Sequence, residues 1–364
     1  MDFQYNTEQL ALRDSMRAFL RDAAPLSRVR EIAGASGHDA QLWRRLCREL
    51  ELPGLPVPLQ YGGVGGTMSE LAIVFEEFGR ALTPIPLASH MFAVQALLSM
   101  GNEEQRHRLL PGLLTGELVA AFAATGAGVT DPMSATVSAT RHGSRIVLDG
   151  ICSPVLHGHV AGLFVIPART DDEVGLYVVS AEAAGVEVER LSSFDITRPV
   201  ARVALRQAEA EPIDAAPGEF ERVLDTARVL LAAEMLGGAE ACLQLSVEYS
   251  CSRKQFDRAI GTFQAVKHMC AEMAIEIDAT RVAVMFAAMR AGDPGELAVA
   301  APLVKAQAAD TFALCAGTAT QVHGGIAFTW EHDLHLYLRR AKTTEALFGS
   351  STQHRALLAD RIGL

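Results

Sequence analysis

Apolar residues recur with the period of an α-helix over residues 7–117 and again over residues 220–364. The first helical region is interrupted by a turn-rich sequence at 54–67, and the second by glycine-containing turns at 290–296 and 323–328. Helical segments with such a pattern bury one apolar face against a neighbour. The two regions therefore predict helices packed on helices at both ends of the chain.

The middle of the chain has a different pattern, with short β-branched runs in which apolar and polar residues alternate. These runs lie at 135–150, 161–168, 174–180 and 198–205. A polar, proline-containing segment at 208–220 marks the end of this block. The sequence therefore predicts an α+β protein with an N-terminal helical domain at 1–118, a middle β domain at 119–218 and a C-terminal helical bundle at 219–364.

Composition limits the classes of partner and the cellular setting. The formal net charge is −11, which disfavours nucleic acid and anionic membranes as main partners. No uninterrupted apolar run is long enough to span a bilayer, and the start of the chain lacks the apolar core of a secretory signal. The six cysteines have no metal-binding spacing. We therefore expect no metal, a cytoplasmic location and ordinary buried thiols.

One short stretch is cationic in this acidic chain. Arg253, Lys254 and Arg258 fall between two helical patterns, and Phe256 stands among them. An arginine can place two N–H donors on phosphate oxygens, and an aromatic ring offers an apolar face to a sugar or base. This stretch is a candidate phosphate-binding site.

Four segments together resemble the acyl-CoA dehydrogenase family over nearly the whole chain. They are the sequence at 52–82, RKQF at 253–256, QVHGGIAF at 321–328 and YLRRAK at 337–342. The resemblance implies an N-terminal helical domain, a middle β domain and a C-terminal four-helix bundle, assembled in dimers or tetramers. It also implies α,β-dehydrogenation of an acyl-CoA thioester, in which FAD accepts the hydride.

The resemblance assigns the cationic stretch to the flavin of a neighbouring subunit. In the family, residues at these positions reach across a subunit interface to the pyrophosphate and adenosine half of that FAD. Carried over residue by residue, the contacts are Arg253, Phe256, Gln321, Gly324 and Gly325. Two alternatives stay open for single residues, since Arg253 also suits a solvated helix end and the glycine pair a helix C-cap.

The positions that the family uses for a chain's own flavin depart from the pattern. Val129 stands where a loop serine is expected, and Pro154 and Leu156 stand where a tryptophan and a hydroxyl residue contact the flavin ring. The two tryptophans of the chain, Trp43 and Trp330, lie outside the β domain. The half of the flavin site that belongs to this chain's own cleft is therefore degraded.

The catalytic base is also missing from both positions that the family uses. Gly349 stands at one position and Ala227 at the other. Glu234 and Asp225 lie nearby on the same helix. Glu234 is seven residues from Ala227, about 10 Å along the helix, and Asp225 faces elsewhere. We interpret both as polar groups between helices and keep Glu234 as a weak candidate base.

The pattern of retained and lost residues favours a subunit that completes another chain's active site. It resembles the partner subunit of heteromeric actinobacterial acyl-CoA dehydrogenases, several of which act on CoA thioesters of steroid side chains. This implies a second family chain, an α2β2 heterotetramer, a shared FAD and an acyl-CoA substrate with a bulky, steroid-type acyl group. Two alternatives remain: a self-sufficient homo-oligomeric enzyme using Glu234 or another base, and a flavin-free scaffold protein.

Overall fold

The computed structural model describes residues 4–123, 135–170, 173–213 and 218–364. Its first part is a layer of helices packed around a shared apolar core. These helices are α1 (Thr7–Ala23), α2 (Leu26–Gly34), α3 (Ala40–Glu49), α4 (Met68–Ala81), α5 (Leu87–Met100) and α6 (Glu103–Leu114). Three of them begin with reciprocal side-chain caps: Asn6 with Gln9, Thr67 with Glu70, and Asn102 with Gln105. Such caps satisfy backbone N–H groups that have no partner inside the helix.

A mixed sheet follows the first helices. Its strands are β1 (Ala120–Phe122), β2 (Val137–His142), β3 (Arg145–Leu156), β4 (Leu163–Arg169), β5 (Val174–Ser180), β6 (Val186–Leu191) and β7 (Val200–Ile213). The strand order is β1-β4-β2-β3-β7-β5, β6 also pairs with β7, and β1 runs parallel to β4. One face carries an apolar core that includes Leu148, Phe164 and Val203.

Two details of the sheet differ from the sequence pattern. β6 was not predicted, because most of its residues are charged or exposed and no apolar alternation marks it. The segment 208–220, interpreted as a boundary, begins instead with the end of β7, which pairs there with β5 up to Ile213. Pairing with a neighbouring strand outweighs the polar composition of that end.

The C-terminal part is a bundle of long helices. They are α7 (Glu219–Ser252), α8 (Gln264–Arg290), α9 (Pro294–His323), α10 (Leu334–Ala346) and α11 (Ser351–Arg361), with a hairpin of β8 (Lys254–Gln255) and β9 (Arg258–Ala259) between α7 and α8. The fold prediction is confirmed: helices, a β domain and a helical bundle follow one another. The domain boundaries at 118/119 and 218/219 stay a prediction.

Helices α4 and α7 cross at very close range. A Cβ on Gly79 would lie 1.9 Å from the Glu234 carbonyl oxygen, and one on Gly237 would lie 1.8 Å from the Glu76 carbonyl oxygen. Only glycine fits at both points of this crossing. The crossing fixes the N-terminal helices on the bundle and thereby positions the middle of α7.

Two segments, α7 and Pro294–Phe328, have the length and apolarity of a membrane span. However, 78% and 61% of their most apolar windows are buried inside the chain. Core helices of a globular bundle pass the same test, so these segments are accounted for by helix packing.

Acid is expected to destabilise the fold well before the carboxylates titrate. Burial lowers the pKa of the fully enclosed His90 to about 4. The unfolded chain therefore binds a proton below about pH 6.5 that the folded chain takes up only near pH 4, and stability falls as the pH drops through this window. For His90 alone we expect a loss of about 2 kcal/mol between pH 7 and pH 5.

The measurement is urea unfolding at pH 7 and pH 5. His90→Gln should shrink the difference between the two pH values, because it removes the titrating ring. His107→Gln, at an exposed position, serves as the matched control and should leave the difference unchanged. An equal pH dependence in His90→Gln would contradict the assignment to His90.

Candidate functional site

The cationic stretch forms the hairpin at the end of α7. The Arg253 backbone N–H donates to the Tyr249 carbonyl oxygen over 2.8 Å, and the Ile260 N–H donates to the Arg253 carbonyl oxygen over 2.9 Å. Arg253 thus caps α7 and closes the hairpin at the same time. Its side chain is exposed and, among the described residues, makes no hydrogen bond or ion pair. The guanidinium is available to a ligand outside this chain.

Phe256 occupies the tip of this hairpin in an unusual backbone conformation. Phe256 and Asp257 have φ values of 52° and 62°, as a two-residue hairpin loop with inverted turn geometry requires. Asparagine and glycine are the usual residues there, and a bulky residue is uncommon. The Phe256 side chain is 86% exposed. An aromatic ring held in a left-handed conformation and directed into solvent indicates a contact surface.

The base of the hairpin is rigid. The Arg258 guanidinium lies 4.1 Å from the centre of the Phe263 ring, and Phe256 meets Phe263 edge to face at 6.2 Å. These contacts fix the orientation of the tip relative to α8. Arg258 is therefore engaged within the chain, and Arg253 is the exposed arginine of the stretch.

The second predicted group lies at the end of α9. Gln321 is exposed on the last turn, and α9 ends at His323. Gly324 has a φ of 66°, which favours glycine, and a Cβ on either Gly324 or Gly325 would meet no atom of the described chain within 4 Å. The backbone of the glycine pair is therefore open to a ligand or a second chain.

An aromatic contact brings the two groups to the same end of the bundle. Tyr249, on the last turns of α7, stacks on His323 with ring centres 4.3 Å apart. His323 also contacts the Ala319 carbonyl oxygen through Nδ1 at 2.8 Å. Tyr249 and His323 were not among the predicted site residues, since a single sequence does not reveal which rings stack. We call the set Arg253, Phe256, Gln321, Gly324 and Gly325 the donor face.

Both vacated base positions are buried. Ala227 is 1% exposed, and the Phe348 ring, next to Gly349, is fully buried and meets Phe92 edge to face at 5.5 Å. The Gly349 carbonyl oxygen accepts a hydrogen bond from Lys305 Nζ at 3.3 Å. Neither position carries a side chain that can remove a proton.

Lys305 is itself unusual because its ammonium is enclosed. Its side chain is fully buried and donates to the carbonyl oxygens of Glu345 and Gly349. Burial lowers the pKa of Lys305 to about 7. Its donors are directed to the backbone that joins α10 to α11, so Lys305 positions this turn.

Glu234 belongs to a buried ionic cluster between the β domain and the bundle. Its carboxylate pairs with Arg198, from the β6–β7 loop, and accepts from Arg340 on α10 at 2.7 Å. Arg340 also pairs with Asp195 at 2.5 Å. All of these side chains are at most 6% exposed. The interpretation of Glu234 as a polar group between elements agrees with this geometry.

The cluster holds its charges at neutral pH. Burial alone would raise the pKa of Asp195, but the Arg340 and Arg198 guanidiniums more than offset it, and the pKa lies below its ordinary value. Burial, with the nearby Arg340, lowers the pKa of Arg198 to about 10. The arginines therefore remain charged. A carboxylate held between two arginines is a poor proton acceptor.

Asp225 also has a structural partner. Its carboxylate accepts from Arg228 at 2.5 Å and from Arg361 at 2.9 and 3.0 Å. Arg361 lies at the end of α11, so this contact ties the C-terminal helix to α7. Asp225 is thereby engaged in helix packing.

The positions expected to contact a flavin ring in this chain carry no hydrogen-bonding side chain. Pro154 lacks a backbone N–H, and Leu156 has no polar side-chain atom. Leu156 lines a cavity of about 20 Å³ together with His157 and Glu234, which has room for about one water molecule. The predicted loop residues Gly126, Ala127, Gly128 and Val129 lie outside the described residues.

The two halves of a flavin site thus differ in their chemistry. The donor face offers an exposed guanidinium, an exposed ring and open glycine backbone, which fit the phosphates and adenosine of a ligand lying outside this chain. The positions 154 and 156 do not fit the polar edge of a flavin ring. No group of three or more potential metal ligands occurs among the described residues.

The cysteines differ from expectation at one end of the chain. Cys47, Cys152, Cys242 and Cys315 are buried, as expected, but Cys251 is exposed and Cys270 is partly exposed. All six are free thiols. Cys251 precedes Arg253 on the last turn of α7, so the expectation of buried thiols is wrong at this position.

Comparisons with known proteins agree with these observations. The model of the acyl-CoA dehydrogenase N-terminal domain matches residues 6–117, and the model of the C-terminal domain matches residues 220–363. The chain is 35% identical to the acyl-CoA dehydrogenase IpdE2 of Mycobacterium tuberculosis, over 94% of this chain and 93% of that protein.

Two solved structures are similar over almost the full length. One is the Tcur3481-Tcur3483 steroid ACAD G363A variant, with a TM-score of 0.90, 30% identity and 98% coverage of both chains. The other is the ChsE4-ChsE5 complex from Mycobacterium tuberculosis, with a TM-score of 0.91 and 26% identity, covering 100% of this chain and 99% of that one.

Proposed function

Since the chain belongs to the acyl-CoA dehydrogenase family, we propose that it is one of two unlike subunits of a FAD-dependent acyl-CoA dehydrogenase. In this proposal it completes a flavin site held mainly by its partner. The carrying observation is a contrast within one chain. The donor face is exposed, and Phe256 is 86% exposed, whereas both base positions are buried and carry no base.

The donor face has a defined task in this proposal. Arg253 neutralises phosphate oxygens of FAD, Phe256 covers its adenosine half, and the open backbone at Gly324 and Gly325 admits close approach. FAD, when bound, accepts the hydride that leaves the acyl β-carbon. The proton acceptor comes from the partner, because Ala227 and Gly349 supply none in this chain.

Heteromeric relatives support the proposed assembly and substrate class. Two similar structures are a complex of unlike chains, ChsE4-ChsE5, and a Tcur3481-Tcur3483 steroid ACAD. We propose an α2β2 heterotetramer with a second family chain, located in the cytoplasm and acting on an acyl-CoA with a bulky, steroid-type acyl group. Neither nucleic acid nor membrane insertion has a part in it.

Arg253→Ala tests the donor face. A charge-assisted hydrogen bond contributes about 1.5–3 kcal/mol, so the variant complex should retain FAD about tenfold more weakly or worse. The measurement is flavin release from the co-purified complex on dilution, followed by fluorescence. The fold should be unaffected, because the Arg253 side chain makes no contact within the described chain.

Arg21→Ala is the matched control. Arg21 is also an exposed arginine, with 74% of its side chain accessible, and it lies on α1, away from the donor face. Its replacement should leave flavin retention unchanged. Equal flavin retention in Arg253→Ala and Arg21→Ala would remove the main support for a donated flavin contact.

A further inference from the structure

Helix α8 is apolar on two opposite sides. On its inner side Met273, Ile277 and Val284 are at most 3% exposed and pack into the bundle core. On its outer side Ile275, Val282 and Met289 are 66%, 47% and 49% exposed. Soluble helices normally present a polar outer face. A second apolar side therefore indicates a surface that another chain covers.

The outer residues form one narrow stripe. Ile275, Val282 and Met289 follow one another at intervals of seven residues, which is close to two full helical turns. Exposed alanines at 271 and 279 lie on the same side and allow a neighbouring helix to approach closely. From Ile275 to Met289 the stripe is about 21 Å long.

Helix α9 widens this surface. Gln307 on α9 donates to Glu276 on α8 over 3.1 Å, so the outer sides of the two helices adjoin. Leu303 and Leu314, on the same side of α9 as Gln307, are 44% and 41% exposed. We call Ile275, Val282, Met289, Leu303 and Leu314 the outer face.

The charges beside the stripe identify the occupant. Glu272 and Arg290 lie near opposite ends of the stripe and, at 100° per residue, on the same flank of α8. A two-fold axis at Val282 would run a second α8 antiparallel to the first and place Glu272 of one copy beside Arg290 of the other. Such a surface is complementary to itself, which is the requirement for a two-fold interface between identical chains.

We propose that the outer face joins two copies of this chain, packed antiparallel with Val282 near the two-fold axis. The inference rests on the proposed α2β2 assembly only for its biological setting. In that assembly the donor face serves the unlike chain, and the outer face joins the two like chains. The stripe begins at Ile275, about 16 Å along α8 from its first residue, so the two surfaces are separate.

Cross-linking through single cysteines tests the arrangement. The background variant carries Cys251→Ser and Cys270→Ala, which removes the two accessible thiols. In this background Val282→Cys, treated with a short bismaleimide in the native complex, should give a covalent dimer of this chain. Ile275→Cys should give none, because antiparallel packing holds the two copies of position 275 about 20 Å apart.

Each outcome has a clear meaning. A dimer from both variants indicates parallel packing and overturns the proposed register. A link from position 282 to the partner chain, or no link at all, shows that something other than a second copy covers the face. Because the readout is the identity of the linked chains, it does not depend on flavin binding or activity, and failure here leaves the proposed function standing.

A charge on the stripe provides a second test. Val282→Glu should halve the mass of the native assembly in light scattering while flavin per pair of unlike chains stays the same. Val64→Glu is the matched control, since Val64 is a similarly exposed valine at 44% outside the bundle. An assembly of unchanged mass in Val282→Glu would overturn the proposal, whereas loss of flavin with unchanged mass would count against the proposed function.

Discussion

The chain expressed alone is expected to bind almost no FAD and to show no acyl-CoA dehydrogenase activity, whereas the chain co-expressed with its partner should give a yellow, active complex. The expected stoichiometry is one flavin per pair of unlike chains. This is the largest effect that follows from the proposed function, because it compares a site with half of its contacts to a complete one.

The reason lies in the residues that this chain lacks. Pro154, Leu156 and Val129 replace a stacking tryptophan, a ring-contacting hydroxyl and a loop serine. Each lost hydrogen bond removes about 1 kcal/mol, and a lost aromatic stack removes about 0.5–1.5 kcal/mol. Together these losses weaken binding by about a thousandfold. The donor face contacts only the other half of the cofactor and cannot restore this affinity.

Flavin absorbance per chain decides the outcome, measured for the purified single chain and for the co-purified pair. Denatured samples give the total flavin, and unfolding by circular dichroism verifies that the single chain is folded. A folded single chain with stoichiometric flavin and activity would overturn the proposal and favour a self-sufficient enzyme. A folded pair without flavin would favour the scaffold alternative.

The sequence predicted the long elements well, because helices α7 to α9 repeat their apolar pattern over many turns. It missed β6, whose exposed residues show no alternation, and it missed the end of β7, where pairing outweighs composition. Local pattern identifies an element when one face is buried. It fails where strand pairing alone holds the element in place.

Contacts between distant segments were also beyond the sequence. Glu234 meets residues that are 36 and 106 positions away in the chain, and no local pattern connects them. The donor face was predicted as individual residues from the resemblance. Its placement at one end of the bundle through Tyr249 and His323, and the left-handed Phe256, required the structure.

Glu234→Gln is expected to destabilise the protein strongly while leaving catalysis by the assembled enzyme within a few-fold of wild type. The carboxylate lies between two buried arginines, so its neutralisation leaves uncompensated buried charge. Breaking a buried ion pair from one side costs roughly 3–5 kcal/mol. We expect a lower midpoint in chemical unfolding, together with flavin retention and turnover close to wild type below the unfolding temperature.

The two effects separate a structural carboxylate from a catalytic one. A general base contributes roughly 100- to 10,000-fold to the rate, whereas a positioning residue changes stability first and turnover little. Glu248→Gln, an exposed carboxylate on the same helix, is the matched control and should change neither. If Glu234→Gln lowered turnover a hundredfold with flavin bound and stability intact, the base would lie in this chain. Because Arg198 and Arg340 bridge the β domain and α10 through Glu234, we expect the loss to fall on the docking of these domains.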